Sequence, residues 1–318
     1  MNFVFLVDQY ERWNVDKDTS FILMMGAHRR EHNIYLLHEG GISSKNGKLT
    51  FSVIQVHPQK NNVTPFINQR NKVLTDQDID IIFIRTDPPF DNHYLMQTWL
   101  LDLLPKHIPI INKPNGIRQC NEKVWATQFT DLIPPTLVST QKSEILKFIQ
   151  EYKLVVAKPT DGFGGKNILR LSSSNYKEEN LSELTKNWTQ EIIVQEYIKE
   201  AENGDKRILL LNGEPIGAVL RLHGPDDFRN NFMTGGTPHA TGMTQQDLHI
   251  CSILKPHLIE KGLYLVGIDV IGSYLTEVNV TSPTGMQEIN NLNHTQLEEK
   301  VITFAEKLID QFKTPSKI

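Results

Sequence analysis

The apolar positions of the chain fall into two rhythms, short uninterrupted runs and longer stretches at helical spacing. Phe3 to Val7 is an unbroken apolar run closed by Asp8, which predicts a strand buried on both faces. After a polar loop, Asp18-Thr19-Ser20 precedes apolar residues at helical spacing through His32, the pattern of a side-chain-capped helix. Asn33 to His38 reads as the next strand, and Asn46-Gly47 between ISSK and KLTFSVIQV predicts a hairpin turn. Ile79 to Ile84, a helix from about Asn92 to Leu104 and a strand over Ile108 to Ile111 complete an expected parallel α/β layer for residues 1 to 120.

Past Pro134-Pro135 the rhythm changes. LVVAKP at 154 to 159, IIVQEY at 192 to 197 and RILLLNGEPIGAVLRL at 207 to 222 are strand-like segments separated by glycine-rich and Asn-Gly turns, which predicts largely antiparallel pairing. Residues 223 to 241 hold few apolar side chains, and so long a polar stretch inside a compact unit reads as a functional loop. A helix over 244 to 261, strands over 264 to 271 and 274 to 280, and a helix from about 295 to 312 follow.

Composition changes this picture only by exclusion. The 318 residues suffice for about two domains, and 33 Lys+Arg against 37 Asp+Glu leave a net charge of −4. That balance excludes chain-wide disorder and lacks the broad positive field of a nucleic-acid binder, so no nucleic-acid partner is expected. Cys120 and Cys251 are the two cysteines, too few for a disulfide framework or a structural zinc, and read as small buried hydrophobes in a reducing compartment. The apolar N-terminal run is too short to span a membrane and has no basic flank; a cytoplasmic protein without membrane partners is expected.

Three groups of residues carry candidate chemistry. In Lys158-Pro159-Thr160-Asp161-Gly162-Phe163-Gly164-Gly165-Lys166 a strand ends on a lysine and enters a glycine-rich turn, where backbone amides can approach phosphate oxygens. Its spacing matches neither short nucleotide fingerprint, and by itself it is equally a plain hairpin turn. Glu277 and Asn279 are two apart on one strand, so they share a face, and the turn Gly272-Ser273-Tyr274 brings Asp269 alongside. Three oxygen donors of this kind suit Mg²⁺; taken alone they are also what a solvated hairpin face would show. Asp205-Lys206-Arg207, Arg221 and Arg229 gather cations near the long loop, as an anionic substrate requires, though each singly is an ordinary surface charge. No H-E-x-x-H or G-x-S-x-G motif occurs.

Taken in this order, glycine turn, arginine loop and acid hairpin resemble the ATP-grasp ligases, and more closely the bacterial glutathione synthetase family. The resemblance runs from about Asp8 to Gln311 and is carried by KDTSF (17 to 21), IRTDPPFD (84 to 91), INKPNGIRQCNEK (111 to 123), KPTDGFGG (158 to 165), GDKRILLLNGEP (204 to 215), FRNN with TGG (228 to 236), VGIDVIG and LTEVNVTSP (266 to 283). It implies an α/β ATP-grasp fold, α+β in its second half, with an N-terminal parallel α/β domain over 1–120, a small glycine-loop subdomain over 121–200 and a metal-bearing domain over 201–318 that includes the mobile loop 223–241. ATP would lie between two antiparallel sheets, its phosphates near Lys123, Lys158, Gly162, Gly164 and Gly165, its adenine at Gln195, Glu196, Tyr197 and Ile198, and its ribose near Asp205. Asp269, Glu277 and Asn279 match the family's ligands for Mg²⁺ or Mn²⁺. Arg207, Arg221 and Arg229 would serve the transferring phosphoryl group, and Asp18, Ser20, Arg85, Ser282, Pro283, Thr284 and Gly285 would border the peptide and amino-acid sites. The family often carries an arginine where this chain has Thr237.

The implied reaction joins γ-glutamylcysteine to glycine at the expense of ATP, through an acylphosphate, in an enzyme that assembles as a homo-oligomer. Two other readings stand beside it. A neighbouring ligase of the same fold would join other substrates, against which IRTDPPFD speaks; a nucleotide-binding regulator would keep the fold without turnover, against which Lys158 and the acid hairpin speak.

Overall fold

The computed structural model describes residues 1–10, 13–224 and 229–313, and within them the apolar runs build three sheets. In the first, β1 (Asn2–Leu6) is flanked on both sides by parallel partners, β2 (Asn33–Lys45) and β5 (Ile81–Ile84). Asn46 and Gly47, with φ of 52° and 76°, turn β2 into antiparallel β3 (Lys48–Pro58), as the Asn-Gly pair predicts. A further antiparallel strand, β4 (Phe66–Thr75), closes that edge, and β6 (Ile110–Ile111) lies parallel to β5 at the other. The order is therefore β4-β3-β2-β1-β5-β6, parallel over its four inner and β6-side strands and antiparallel beyond β2. The sequence FINQRNKVLT of β4 shows no alternation because an edge strand exposed along most of its length has little to bury.

Asp18 caps α1 (Thr19–Arg29), accepting a 2.6 Å hydrogen bond from the Phe21 amide, and the helix stops at Arg29, short of the expected His32. Asp91 caps α2 (Asn92–Leu101) in the same way, accepting from the His93 and Tyr94 amides. A short helix, α3 (Pro114–Gln119), begins on a proline, where a missing amide costs nothing.

The second sheet comprises β7 (Thr136–Ser139), β8 (Leu154–Pro159), β9 (Leu169–Ser172) and β10 (Ile192–Glu196), antiparallel throughout in the order β7-β10-β8-β9. It has its own core: Ile145 and Ile149 of α4 (Lys142–Tyr152) and Leu181 of α5 (Glu178–Leu184) pack on Val155, Ala157, Ile192 and Val194. The third sheet contains β11 (Asp205–Leu211), β12 (Glu214–Leu222), β13 (Thr237–Ala240), β14 (Leu265–Ile271) and β15 (Tyr274–Asn279), again all antiparallel, in the order β13-β12-β11-β14-β15. Between them lies α6 (Gln245–Lys261), begun by a Thr244/Asp247 capping box.

The stretch 223–241 is less of a loop than its composition suggests. Phe232–Thr234 forms a turn of 3₁₀ helix, and β13 pairs Thr237 with Leu222 and Ala240 with Val219. Backbone pairing on the open edge of β12 needs no apolar side chains, so a polar strand there leaves no hydrophobic trace. Residues 225–228, which belong to the expected loop, lie outside the described residues. Two helices end the chain, α7 (Met286–Asn293) and α8 (Leu297–Lys313). Val301, Ile302, Ala305 and Ile309 of α8 share one core with Phe3, Phe5, Phe21 and Leu23, so the C-terminal helix seals the N-terminal sheet. No helix among the described residues is long and apolar enough to cross a membrane.

Candidate functional site

A cleft of about 980 Å³ opens between the second and third sheets. All ten residues expected to meet the nucleotide line it: Lys123, Lys158, Gly162, Gly164, Gly165, Gln195 to Ile198, and Asp205. Arg221, Arg229, Asp269 and Glu277 join them. Val156 and Ile271, on β8 and β14, and Ile168, just before β9, add apolar walls that the sequence reading did not single out; nothing in the local pattern sets them apart from other apolar residues.

Lys158 is the last residue but one of β8, and the chain then turns sharply. Gly164 and Gly165 have φ of +64° and +74°, and a Cβ on Gly165 would stand 3.3 Å from Thr234 Cγ2, so this close approach of the turn to the 3₁₀ segment favours glycine. Arg229 Nη1 donates to the Gly165 carbonyl at 2.8 Å, tying the long segment to the turn. Lys123 Nζ reaches the Gly162 carbonyl and Glu277 Oε1, the latter at 2.6 Å. Burial pushes the Lys158 ammonium down to about 8, while for Lys123 burial is outweighed by Glu277, which holds its charge above the ordinary range.

The acids and arginines form one network. Asp269 and Glu277 are cross-strand partners on β14 and β15, and Asn279 lies two residues along, opposite Gly267, so all three share a face. Asp269 accepts Arg207 bidentately, Nε to Oδ1 at 2.5 Å and Nη2 to Oδ2 at 3.0 Å, and Arg221 Nη2 approaches Oδ2 at 2.9 Å. Arg221 in turn forks onto Asp205 at 2.6 and 2.7 Å. Burial opposes ionisation of Asp269, but the two guanidinium groups outweigh it and hold the carboxyl well below the usual range. For Asp205 burial prevails and its carboxyl is raised, with Arg221 only partly offsetting it. Asn279 Nδ2 donates to the Gly267 carbonyl at 3.3 Å, which leaves the amide oxygen side of the group as its donor toward a cation.

Two carboxylates and an amide on one face are a hard, all-oxygen set, suited in charge and donor type to Mg²⁺ or Mn²⁺. Arg207 stands behind the cleft rather than in its lining: besides Asp269 it donates to the Thr284 carbonyl at 3.1 Å.

That bond leads to the second group of expected residues. Arg85, almost wholly buried, donates from Nε to Ser20 Oγ and from Nη2 to the Pro283 carbonyl, both at 3.0 Å. Ser282 donates to Asp87, and Gly285 opens α7 beside Arg207. Asp18 keeps its capping role, and burial pushes its carboxyl up to about 6. Asp18, Ser20, Arg85 and 282–285 thus border one region that the nucleotide cleft does not include.

Two acids were missed. Asp87 lies in the quoted IRTDPPFD segment but carried no role until Ser282, far along the chain, was seen to donate to it. Glu122, beside Lys123, accepts from the Val280 and Thr281 amides and the Thr281 hydroxyl at 2.7–3.0 Å, pinning the backbone just past the acid hairpin. No local pattern reports a partner 158 residues away.

The chain is similar to two models that together cover nearly all of it: "Prokaryotic glutathione synthetase, N-terminal domain" over residues 1–118 and "Prokaryotic glutathione synthetase, ATP-grasp domain" over residues 122–294. Among curated relatives, the glutathione synthetase of Synechococcus elongatus is 38% identical over 325 residues, covering 98% of this chain and all of the relative. That of Nostoc is 39% identical over 318 residues, covering 96% and 98%, and that of Thermosynechococcus vestitus 47% identical over 225 residues, covering 70% and 71%. Among solved structures, a D-cycloserine synthetase superposes with a TM-score of 0.66 at 13% identity over 98% of this chain and all of its own. The D-alanyl-alanine synthetase A of Vibrio cholerae gives 0.61 at 13% identity, covering 98% of each chain. At such identities these two speak for the ATP-grasp fold alone.

Proposed function

Since this chain belongs to the prokaryotic glutathione synthetase family, and is an ATP-dependent ligase that makes glutathione, we propose that it does so by activating the free cysteinyl carboxylate of γ-glutamylcysteine as an acylphosphate. The observation that carries this reading is the meeting, in one cleft, of two buried lysines, a glycine turn and the acid hairpin.

A carboxylate does not condense with an amine at neutral pH, because oxide is too poor a leaving group; phosphoryl transfer converts it into phosphate. Lys123, Lys158 and the amides of Gly162 to Gly165 would hold the ATP phosphates, Gln195 to Ile198 the adenine, and Asp205 the ribose. Asp269, Glu277 and Asn279 would hold Mg²⁺ or Mn²⁺, which when bound screens the charge between phosphates and carboxylate. Because Asp269 and Asp205 fix the guanidinium of Arg221, its donors are oriented before any substrate arrives. Arg207 is placed by Asp269 and the Thr284 carbonyl in the same way.

The carboxylate oxygen attacks the γ-phosphorus in line, ADP leaves, and the amine of glycine adds to the acyl carbon. Arg221 and Arg207 offset the oxyanion charge, and collapse of the tetrahedral species expels phosphate. Water would consume the acylphosphate equally well, so the bond from Arg229 to the Gly165 carbonyl acts as a latch across the cleft. Asp18, Ser20, Arg85 and 282–285 border the dipeptide and glycine.

The test is ADP release with γ-glutamylcysteine and glycine supplied singly and together. Release that needs both supports the reading; release indifferent to either sinks it.

We also place the enzyme in the cytoplasm, which two buried, unbridged cysteines favour, and propose a homo-oligomer. Met96, Trp99 and Leu103, about half exposed, recur three and four residues apart on and just after α2, an apolar stripe that a second copy could cover.

A further inference from the structure

Two of the three donors assigned to the cation, Glu277 and Asn279, lie on the free edge of the third sheet. β15 is the last strand in the order β13-β12-β11-β14-β15, and Asn279 is its final residue, where an edge strand is held least and frays first. Yet the amides on either side of Asn279 are both taken, and by one residue. The Val278 amide donates to the Glu122 carbonyl at 2.9 Å, and the Val280 amide to Glu122 Oε1 at 2.9 Å. The same carboxylate oxygen accepts the Thr281 amide at 3.0 Å and the Thr281 hydroxyl at 2.7 Å. The residues beside Glu122 reach the opposite wall of the cleft: Asn121 Nδ2 donates to the Thr160 carbonyl at 3.1 Å, and Lys123 Nζ to the Gly162 carbonyl.

Covering the end of a strand needs only neutral partners, as Asn112 shows by donating from Nδ2 to the Val280 carbonyl at 2.7 Å. A carboxylate there holds harder, because hydrogen bonds to an ionised acceptor are about twice as strong as neutral ones. It also has a cost: Glu122 and Glu277 repel each other, and a cation on the acid hairpin relieves that repulsion. We propose that Glu122 is a positioning residue for the divalent cation. It acts through Asn279, gripping the chain on both sides so that this amide stays on the face it shares with Asp269 and Glu277. The proposal rests on the cation reading above and goes beyond it, since Glu122 is not among the three donors.

Mn²⁺ is the probe, titrated into the full chain with ADP present and read by the electron paramagnetic resonance signal of the free ion. Glu122→Gln keeps an acceptor oxygen and loses the charge. It should bind Mn²⁺ about ten- to a hundredfold more weakly, as when a group that orients a metal ligand is removed, while ADP binding without metal stays within about twofold. Ligation by Glu122→Gln should fall at low Mn²⁺, and raising the ion should restore kcat to within about threefold of wild type, a rescue that a general loss of structure would not permit. Thr281→Val keeps both amide bonds and removes only the hydroxyl, so its Mn²⁺ affinity should fall about three- to tenfold; should Glu122→Gln fail to fold, this variant decides. Unchanged Mn²⁺ affinity in the folded variants, an equal loss of Mn²⁺ and ADP binding, or a kcat that stays low at saturating Mn²⁺ overturns the proposal alone. A wild-type protein that binds no Mn²⁺ with ADP removes the cation reading, and the proposal with it.

Discussion

The two ends of the site treat charge in opposite ways. In the nucleotide cleft most of the buried charges are paired among themselves, Asp269 with Arg207 and Arg221, Arg221 with Asp205, Lys123 with Glu277, while Lys158 reaches the Thr276 carbonyl at 3.5 Å. At the substrate end Arg85, and Glu288 in the first turn of α7, each keep a buried atom without a partner. A closed network orients its members without a ligand and yields donors to a polyanion at little reorganisation. An open one gains most of its free energy only when a matching ligand arrives, which suits discrimination.

The closed network breaks hardest at its hub. Asp269→Asn leaves Arg207 and Arg221 with one buried carboxylate between them, and should cost about 3–5 kcal/mol in urea unfolding as well as at least about a thousandfold in ligase activity. A loss of activity with unchanged unfolding would mean that the pairing does not hold the site together.

At the open end, Asp18 offers a pH test. Its carboxyl sits at about 6 in the folded protein against 3.8, so between these values the folded state binds more protons than the unfolded one. Its stabilising share is complete below about 3.8 and is lost as the pH rises through about 6, on the order of 3 kcal/mol in total. Asp18→Asn keeps a capping oxygen, and its unfolding free energy should fall less between pH 4 and 6 than that of the wild type. Parallel pH profiles would contradict the burial of that charge.

The latch joins two parts of the nucleotide cleft's own lining. Arg229→Ala removes the bond to the Gly165 carbonyl, and ATP hydrolysis per glutathione formed should rise about tenfold, on the scale of one charge-assisted hydrogen bond; unchanged coupling would strip Arg229 of that role. Cys120 and Cys251 supply the baseline. Burial pushes both thiols up to about 12, so alkylating reagents at pH 8 should leave both intact and activity within about twofold.

Much of this was legible beforehand where local chemistry is repeated along the chain. The apolar runs at Phe3, Ile81 and Leu265 became central strands, and the Asn46-Gly47 and Asn212-Gly213 pairs became positive-φ turns. The ten nucleotide-side residues came from motif resemblance, and one cleft gathers them. What escaped was decided by long-range partners. β4 and β13 are polar edge strands defined by a neighbour's backbone, and α4, α5 and α7 are short helices with few buried positions each. Glu122 and Asp87 are recognisable only through Thr281 and Ser282 across the molecule.

Carboxylate activation can be followed by a single atom. With γ-glutamylcysteine labelled by ¹⁸O in its cysteinyl carboxylate, turnover in the presence of ATP and glycine should deliver one labelled oxygen to each inorganic phosphate formed. Phosphate free of label, at the same yield of glutathione, would contradict phosphoryl transfer to that carboxylate.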